Sequence, residues 1–288
     1  MQAFHVNSSL PRSGSELMQA LLGQHPDVYA SSTSPLLEFW FGAQSNLQTP
    51  EVKSQDPALM DKAFKNFCKG GLVGYCEAMT DKPVFVDKSK GWIEMADFLW
   101  GVSPESKLVC MVRNVDDIIK SMEAAYRRNP GHPETRHLPK TSELRAQFWL
   151  QNGNVTVGVA INRINDRKSR GSDPRIRYID YDQLVDYPIE VMRSVFEFMG
   201  LDKFDIDPNN VVKSAPERHE AFGIFGNHEF RNVIARRGQE PTFNKRQKVS
   251  VGADDMVGDL DETEVIEVEE KPVKKKKVKK VESEQNEE

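Results

Sequence analysis

Three basic or hydroxyl-bearing stretches stand where a chain delivers side chains to anions. Arg12 lies in Ser8-Ser9-Leu10-Pro11-Arg12-Ser13-Gly14-Ser15, a small-residue turn after the apolar, extended stretch Ala3–Val6. Apolar residues then recur at Leu17, Met18, Leu21 and Leu22, a helical spacing. Strand, Gly/Ser loop and helix form a phosphate cradle: loop amides and the orphan N–H groups of the first helical turn converge on one point, which the helix dipole makes favourable for an anion. Pro11 stiffens the entry, and Gly14 lets the backbone come close to a ligand. A nucleotide-triphosphatase loop would need GxxxxGK[ST], but Ser15 and Glu16 follow Gly14, so neither its lysine nor its magnesium-binding hydroxyl is supplied in place. Lys88 follows a second short strand, Pro83–Val86, and a lysine past the carboxyl end of a parallel strand lies on the ligand side of a sheet. Arg113 ends the continuous apolar run Leu108–Val112, and Ser121 stands eight residues later in a helix capped by Asn114.

Pro11-Arg12-Ser13-Gly14-Ser15 with His25-Pro26-Asp27-Val28 resembles the 5′-phosphosulfate loop of sulfotransferases, closest to the PRSGT branch that includes tyrosylprotein sulfotransferases. Asp87-Lys88-Ser89 is similar to that family's lysine segment. Arg113 to Ser121 resembles its 3′-phosphate motif, with Val115 in place of a proline, and Tyr181-Asp182-Gln183-Leu184 resembles its YEDL segment. A late Arg236-Arg237-Gly238 is similar to the RKG tripeptide that closes over the 3′-phosphate. The ordered set spans roughly residues 3–201. It implies an α/β fold of three layers, P-loop-like, with a central parallel sheet.

The resemblance implies transfer of a sulfuryl group from 3′-phosphoadenosine 5′-phosphosulfate (PAPS) to a hydroxyl or amine by in-line displacement, without a metal. Arg12 and Lys88 are then the cations that stabilise charge on the bridging oxygen, with backbone N–H groups of Ser13, Gly14, Ser15 and Glu16. Arg113 and Ser121 hold the 3′-phosphate, Tyr181 lies near the adenine, and Arg236 and Arg237 add contacts. Glu16 stands where the family usually carries a second threonine. It is read as a first-turn acid, favoured by the dipole and pointing to solvent. The tyrosylprotein branch has a glutamate after HPDV; the matching residues here, Ser31 to Ser34, include no carboxylate, and Glu38 is the candidate base. The acceptor is a small molecule, a glycan or a peptide. Two other readings stay open: a non-catalytic nucleotide-binding protein of the same fold, and another phosphotransferase that would need ATP and magnesium.

Around these residues the sequence predicts helices over Pro57–Tyr75 (apolar face Leu59, Ala63, Phe64 and Phe67), Trp92–Trp100, Leu144–Arg167 and Ile189–Met199, the last ending in a Gly200 C-cap, with a polar loop over Tyr126–Ser142. The 288 residues hold 39 Lys and Arg against 44 Asp and Glu, a net charge of −5. Residues 250–288 carry 13 acids and 7 bases, a net −6, so residues 1–249 sum to +1. A nearly neutral body gives no signal for nucleic acid. Residues 1–249 are expected to form one domain and residues 250–288 a disordered charged tail. Three cysteines without CxxC spacing argue against a disulfide framework or a zinc site. No apolar run approaches about 18 residues and no leader is visible, so the expectation is a cytoplasmic protein without a membrane anchor.

Overall fold

The computed structural model describes residues 1–129, 135–151, 156–213, 215 and 232–234. The chain divides into two units, Met1–Met256 and Val257–Glu288, and the second, with the expected tail, lies outside the described residues. In chain order the elements are β1 (Ala3–Ser9), α1 (Ser15–Leu22), β2 (Val28–Thr33), α2 (Leu36–Ser45), α3 (Pro50–Lys53), α4 (Pro57–Met79), β3 (Val84–Lys88), α5 (Ala96–Val102), β4 (Leu108–Val112), α6 (Val115–Arg128), α7 (Ser142–Leu150), α8 (Thr156–Ser169), β5 (Ile176–Asp180), α9 (Tyr181–Asp186) and α10 (Pro188–Phe198).

All strand pairs are parallel, in the order β2-β3-β1-β4-β5. Apolar residues on both faces of the strands explain why helices must cover both sides. Phe4, Val6, Phe85, Leu108 and Cys110 meet one core with α2, α4, α5 and α8. Val84, Val86, Val109, Met111 and Ile179 meet the other with α1 and α10. β1 is central, and the chain builds β2 and β3 on one side of it before crossing to β4 and β5. The loop after β1 leads to a helix on one face, and the loop after β4 leads to α6, whose Ile118 is buried in the opposite core. The crevice at their carboxyl ends is where open α/β sheets take ligands.

Several expected elements shift. α4 continues to Met79 and buries Cys68, Leu72 and Cys76, while Leu59 and Phe67 are 57% and 68% exposed. The buried row runs through Phe64, one residue later than the Leu59–Ala63–Phe67 row, a rotation of about 100°. The single helix expected over Leu144–Arg167 is two. Gln151 has extended ψ at 133°, and α8 comes so close to the end of α7 that a Cβ on Gly158 would lie 2.6 Å from the carbonyl oxygens of Leu150 and Gln151. α6 reaches Arg128, into the expected loop. The turn after β3 is a 3-10 helix, Lys90–Ile93, separate from α5. Gly200, at φ +73°, closes α10 as expected. Among the described residues no helix is long and apolar enough to cross a membrane.

Candidate functional site

The loop between β1 and α1 is held in an unusual backbone shape. Arg12 has φ +57° and Gly14 φ +89°, both left-handed. For a non-glycine residue this costs roughly 1–2 kcal/mol, so surrounding contacts must impose it. They are visible. The buried Ser13 hydroxyl lies 2.7 Å from the Leu10 carbonyl and 3.0 Å from that of Met111, fixing the loop onto β4. The Arg12 carbonyl accepts from Arg113 Nη1 at 3.0 Å, and Arg12 Nε donates to Ser121 Oγ at 3.2 Å. Glycine is required at position 14 twice over: by its φ, and because a Cβ there would stand 2.6 Å from Tyr181 Cδ2.

Register explains why these residues meet. Val112 pairs with Asp180 in the β4–β5 ladder, so the next residues, Arg113 and Tyr181, leave the sheet side by side. The Arg113 guanidinium rests 4.1 Å from the centre of the Tyr181 ring. Tyr181 is the first residue of α9, because the Asp180 carboxylate caps Asp182 and Gln183. Asn114 caps α6 through the amides of Asp116 and Asp117, which sets the two helical turns leading to Ser121. Arg12, Gly14, Arg113, Ser121 and Tyr181, separate in sequence, therefore form one corner. Its notable feature is Arg113 Nε, buried and without a hydrogen-bond partner among the described residues. A buried donor left unpaired costs about 1–3 kcal/mol, a cost that an anion bound at this corner would relieve.

The second corner surrounds Lys88. This residue is the last of β3, opposite Asn7 of β1, rather than just past the strand. Its ammonium forms an ion pair with Glu16, and the two side chains are only 7% and 16% exposed. Glu16 therefore does not point to solvent as expected. The first turn of α1 places its carboxylate against the lysine delivered by β3. On the opposite face of β3, Asp87 is sealed in the core, accepting from Trp92 Nε1 at 2.7 Å and from Ser31 Oγ at 3.4 Å. Burial raises its pKa from 3.8 to about 6, against the opposing pull of its hydroxyl and indole donors. Trp92 is completely buried, worth a few kcal/mol, and so anchors the Lys88–Trp92 turn from beneath.

The turn between Lys88 and Trp92 carries a residue to which sequence reasoning gave no role. Lys90 is exposed, its carbonyl is fixed by Ser8 Oγ at 3.0 Å, and Arg12 is close enough to repel its charge. Desolvation and then the charge of Arg12 lower its pKa. The signal was present in the spacing Lys88-Ser89-Lys90. Glu38 is exposed in the first turn of α2. Arg236 and Arg237 lie outside the described residues. Among the described residues no group of three His, Cys, Asp or Glu side chains could hold a metal ion.

The family model for sulfotransferases matches residues 8–205 of this chain. The chain belongs to the sulfotransferase family. A protein-tyrosine sulfotransferase of Drosophila melanogaster is 23% identical over 225 residues, 73% of this chain and 42% of that protein. The chain thus spans less than half the length of the curated sulfotransferase it matches. Among solved structures, the sulfotransferase domain from the curacin biosynthetic pathway is 20% identical, over 70% of this chain and 74% of that one, with TM-score 0.45. A mouse sulfotransferase in complex with PAP is 16% identical, over 71% and 61% of the two chains, with TM-score 0.44. The matched sulfotransferase region runs from Ser8 of β1 to Asp205, so it takes in both corners.

Proposed function

We propose that the chain transfers a sulfuryl group from PAPS to a hydroxyl or amine of a small molecule, glycan or peptide. The observation that carries this reading is the Arg113 corner: a guanidinium braced by the Arg12 carbonyl and the Tyr181 ring, with a buried N–H unpaired, beside the Ser121 hydroxyl. Such a corner fits a phosphate dianion. In this reading Arg113 and Ser121 hold the 3′-phosphate and Tyr181 is the strut that fixes the arginine against the loop. Amides from Ser13 to Glu16 meet the 5′-phosphate.

The acceptor oxygen or nitrogen attacks sulfur, the bond from sulfur to the bridging oxygen breaks, and the electron pair leaves on the 5′-phosphate of PAP. Arg12 and Lys88 stabilise charge as it grows on that oxygen. A base must take the acceptor's proton. Asp87 is sealed and Glu16 is paired; Glu38, exposed in the first turn of α2, is the carboxylate proposed for that role. A cytoplasmic location belongs to the same reading.

The test is calorimetric titration of PAP together with release of PAP from PAPS in an acceptor screen. Micromolar binding by the unaltered protein is expected, and no binding would overturn the reading. Lys88→Ala alone would unmask the Glu16 charge, so the double variant Lys88→Met/Glu16→Gln, which keeps the pair's net charge at zero, is the cleaner probe. Turnover should fall about 100-fold, the scale for losing a group that acts on transition-state charge. PAP affinity should stay within about threefold, because a neutral pair contributes little net attraction to an anion. Equal loss of both would make Lys88 structural.

A further inference from the structure

We infer that the outer face of α4 is where a second copy of this chain docks, helix against helix about a two-fold axis. The sequence marks Leu59, Ala63 and Phe67 as an apolar row, and the fold does not bury it, because α4 packs through Cys68, Leu72 and Cys76 instead. At helical spacing Gly70, Gly71, Gly74 and Ala78 continue that row to the end of the helix. All seven residues are exposed, Phe67 by 68% and Leu59 by 57%, and none carries a charge. With about 100° per residue, Lys62, Lys65 and Lys69 fall on the opposite flank. Phe39 of α2, 59% exposed with its ring 6.3 Å from that of Tyr75, prolongs the apolar surface at one margin. An uncharged strip along a whole helix is unlike the singly scattered apolar residues of an ordinary surface.

The order of residues says what covers it. A two-fold contact must be self-complementary, with residue i meeting j and j meeting i. Set antiparallel against itself about a point between Gly70 and Gly71, the strip meets that condition. Phe67 then faces Gly74, Ala63 faces Ala78 and Gly70 faces Gly71, each pair equidistant from the axis. Large against small at facing positions is how packed helices interdigitate. A Cβ at Gly70, Gly71 or Gly74 would have nothing within 4 Å among the described residues, so the notch that takes the ring is open. Charge agrees with this arrangement. Lys62 and Glu77 project on the same side of the strip at similar distances from its centre, so the two-fold brings Lys62 of each copy toward Glu77 of the other. Glu77 is exposed, with the amino terminus 3.6 Å away as its own-chain partner. A parallel pair would instead set Phe67 on Phe67 and leave the glycine notch unfilled.

The experiment is sedimentation equilibrium of the full chain from micromolar to submillimolar concentration. The unaltered protein should pass from 32.7 kDa toward twice that mass. Phe67→Asp places a charge in the strip and Gly74→Leu fills the notch, and each should weaken dimerisation about tenfold or more. Lys69→Ala, on the opposite flank, should leave it unchanged. Phe67 and Gly74 are exposed in the single chain, so both variants should keep the circular dichroism of the unaltered protein. Gly70→Cys tests the register: beside the axis, it should form a disulfide with its own counterpart under mild oxidation, and Lys69→Cys should not. The natural Cys68, Cys76 and Cys110 are buried and do not compete. A chain that stays monomeric over the whole range overturns the inference. So does a dimer that survives both Phe67→Asp and Gly74→Leu, or one that cross-links through position 69 and not through position 70.

Discussion

Arg113 and Lys88 stand at or just past the ends of the two strands that flank β1, yet their surroundings follow opposite plans. Arg113 has no carboxylate against it among the described contacts; an aromatic ring and a backbone carbonyl position it, and one of its N–H groups is left unpaired. Lys88 has a carboxylate in contact with it and a second, sealed carboxylate behind it on the same strand. The first corner is organised in advance for an anion and loses little by accepting one. The second must exchange one anion for another. In the proposed reading, a site with both corners holds the nucleotide by one end while the cation at the other end stays committed until the donor arrives. The sharpest way to break this contrast is Arg113→Ala. Charge-assisted contacts of this kind are worth about 1.5–3 kcal/mol each, so PAP affinity should drop about 100-fold by calorimetry. A loss under tenfold would mean the corner is not where binding energy resides.

Much of the first corner was legible in the sequence because its logic is local. Gly14 marks a left-handed position, Asn114 marks a helix start, and the eight-residue step from Arg113 to Ser121 follows from helix geometry. The second corner was not legible. Whether Glu16 faces water or Lys88 depends on β3 lying beside β1 with Lys88 opposite Asn7, a register set by the whole sheet. Lys90 was passed over for the same reason, since Arg12 is its neighbour only through the fold. In α4 the apolar row chosen from the sequence was off by one residue: the docking row uses Cys68, Leu72 and Cys76, less conspicuous than Leu59 and Phe67. The break between α7 and α8 did have a local signal, the Asn152-Gly153-Asn154 cluster, which apolar spacing on either side overrode.

Asp87 gives a second test of the contrast, because only the Lys88 corner has a group that titrates between pH 5 and 8 as a result of burial. Its folded pKa of about 6 lies above the value of 3.8 it would have unfolded. Its contribution to stability is therefore complete below pH 3.8 and is lost as pH rises through 6. By pH 8 the buried charge should cost on the order of 3 kcal/mol. Asp87→Asn removes that charge at every pH while keeping an acceptor for Trp92. The melting temperature of the variant relative to the unaltered protein should climb between pH 5 and pH 8. His5 works in the opposite sense: burial lowers its pKa to about 4, so its contribution is complete above 6.5 and is lost as pH falls toward 4. It is present in both proteins and cancels in the difference. A flat difference across this range would mean that Asp87 does not titrate as its burial demands.

Glu16→Gln should have the smallest effect and bears most directly on the exchange of anions. The substitution keeps the size of the side chain and removes its charge, so Lys88 is released toward the nucleotide. A nearly buried ion pair is costly to break by removing one partner, because the other charge is left uncompensated. In the variant that cost is already present before ligand arrives, and a bound phosphate relieves it. PAP should therefore bind threefold to tenfold tighter, about 1 kcal/mol, and the variant should be less stable without nucleotide. 3′-AMP should bind equally to both proteins, since nothing in the Arg113 corner has changed. Unchanged PAP affinity would show that Lys88 and Glu16 act as a fixed strut between β3 and α1. The two corners would then differ in composition but not in how they respond to the ligand.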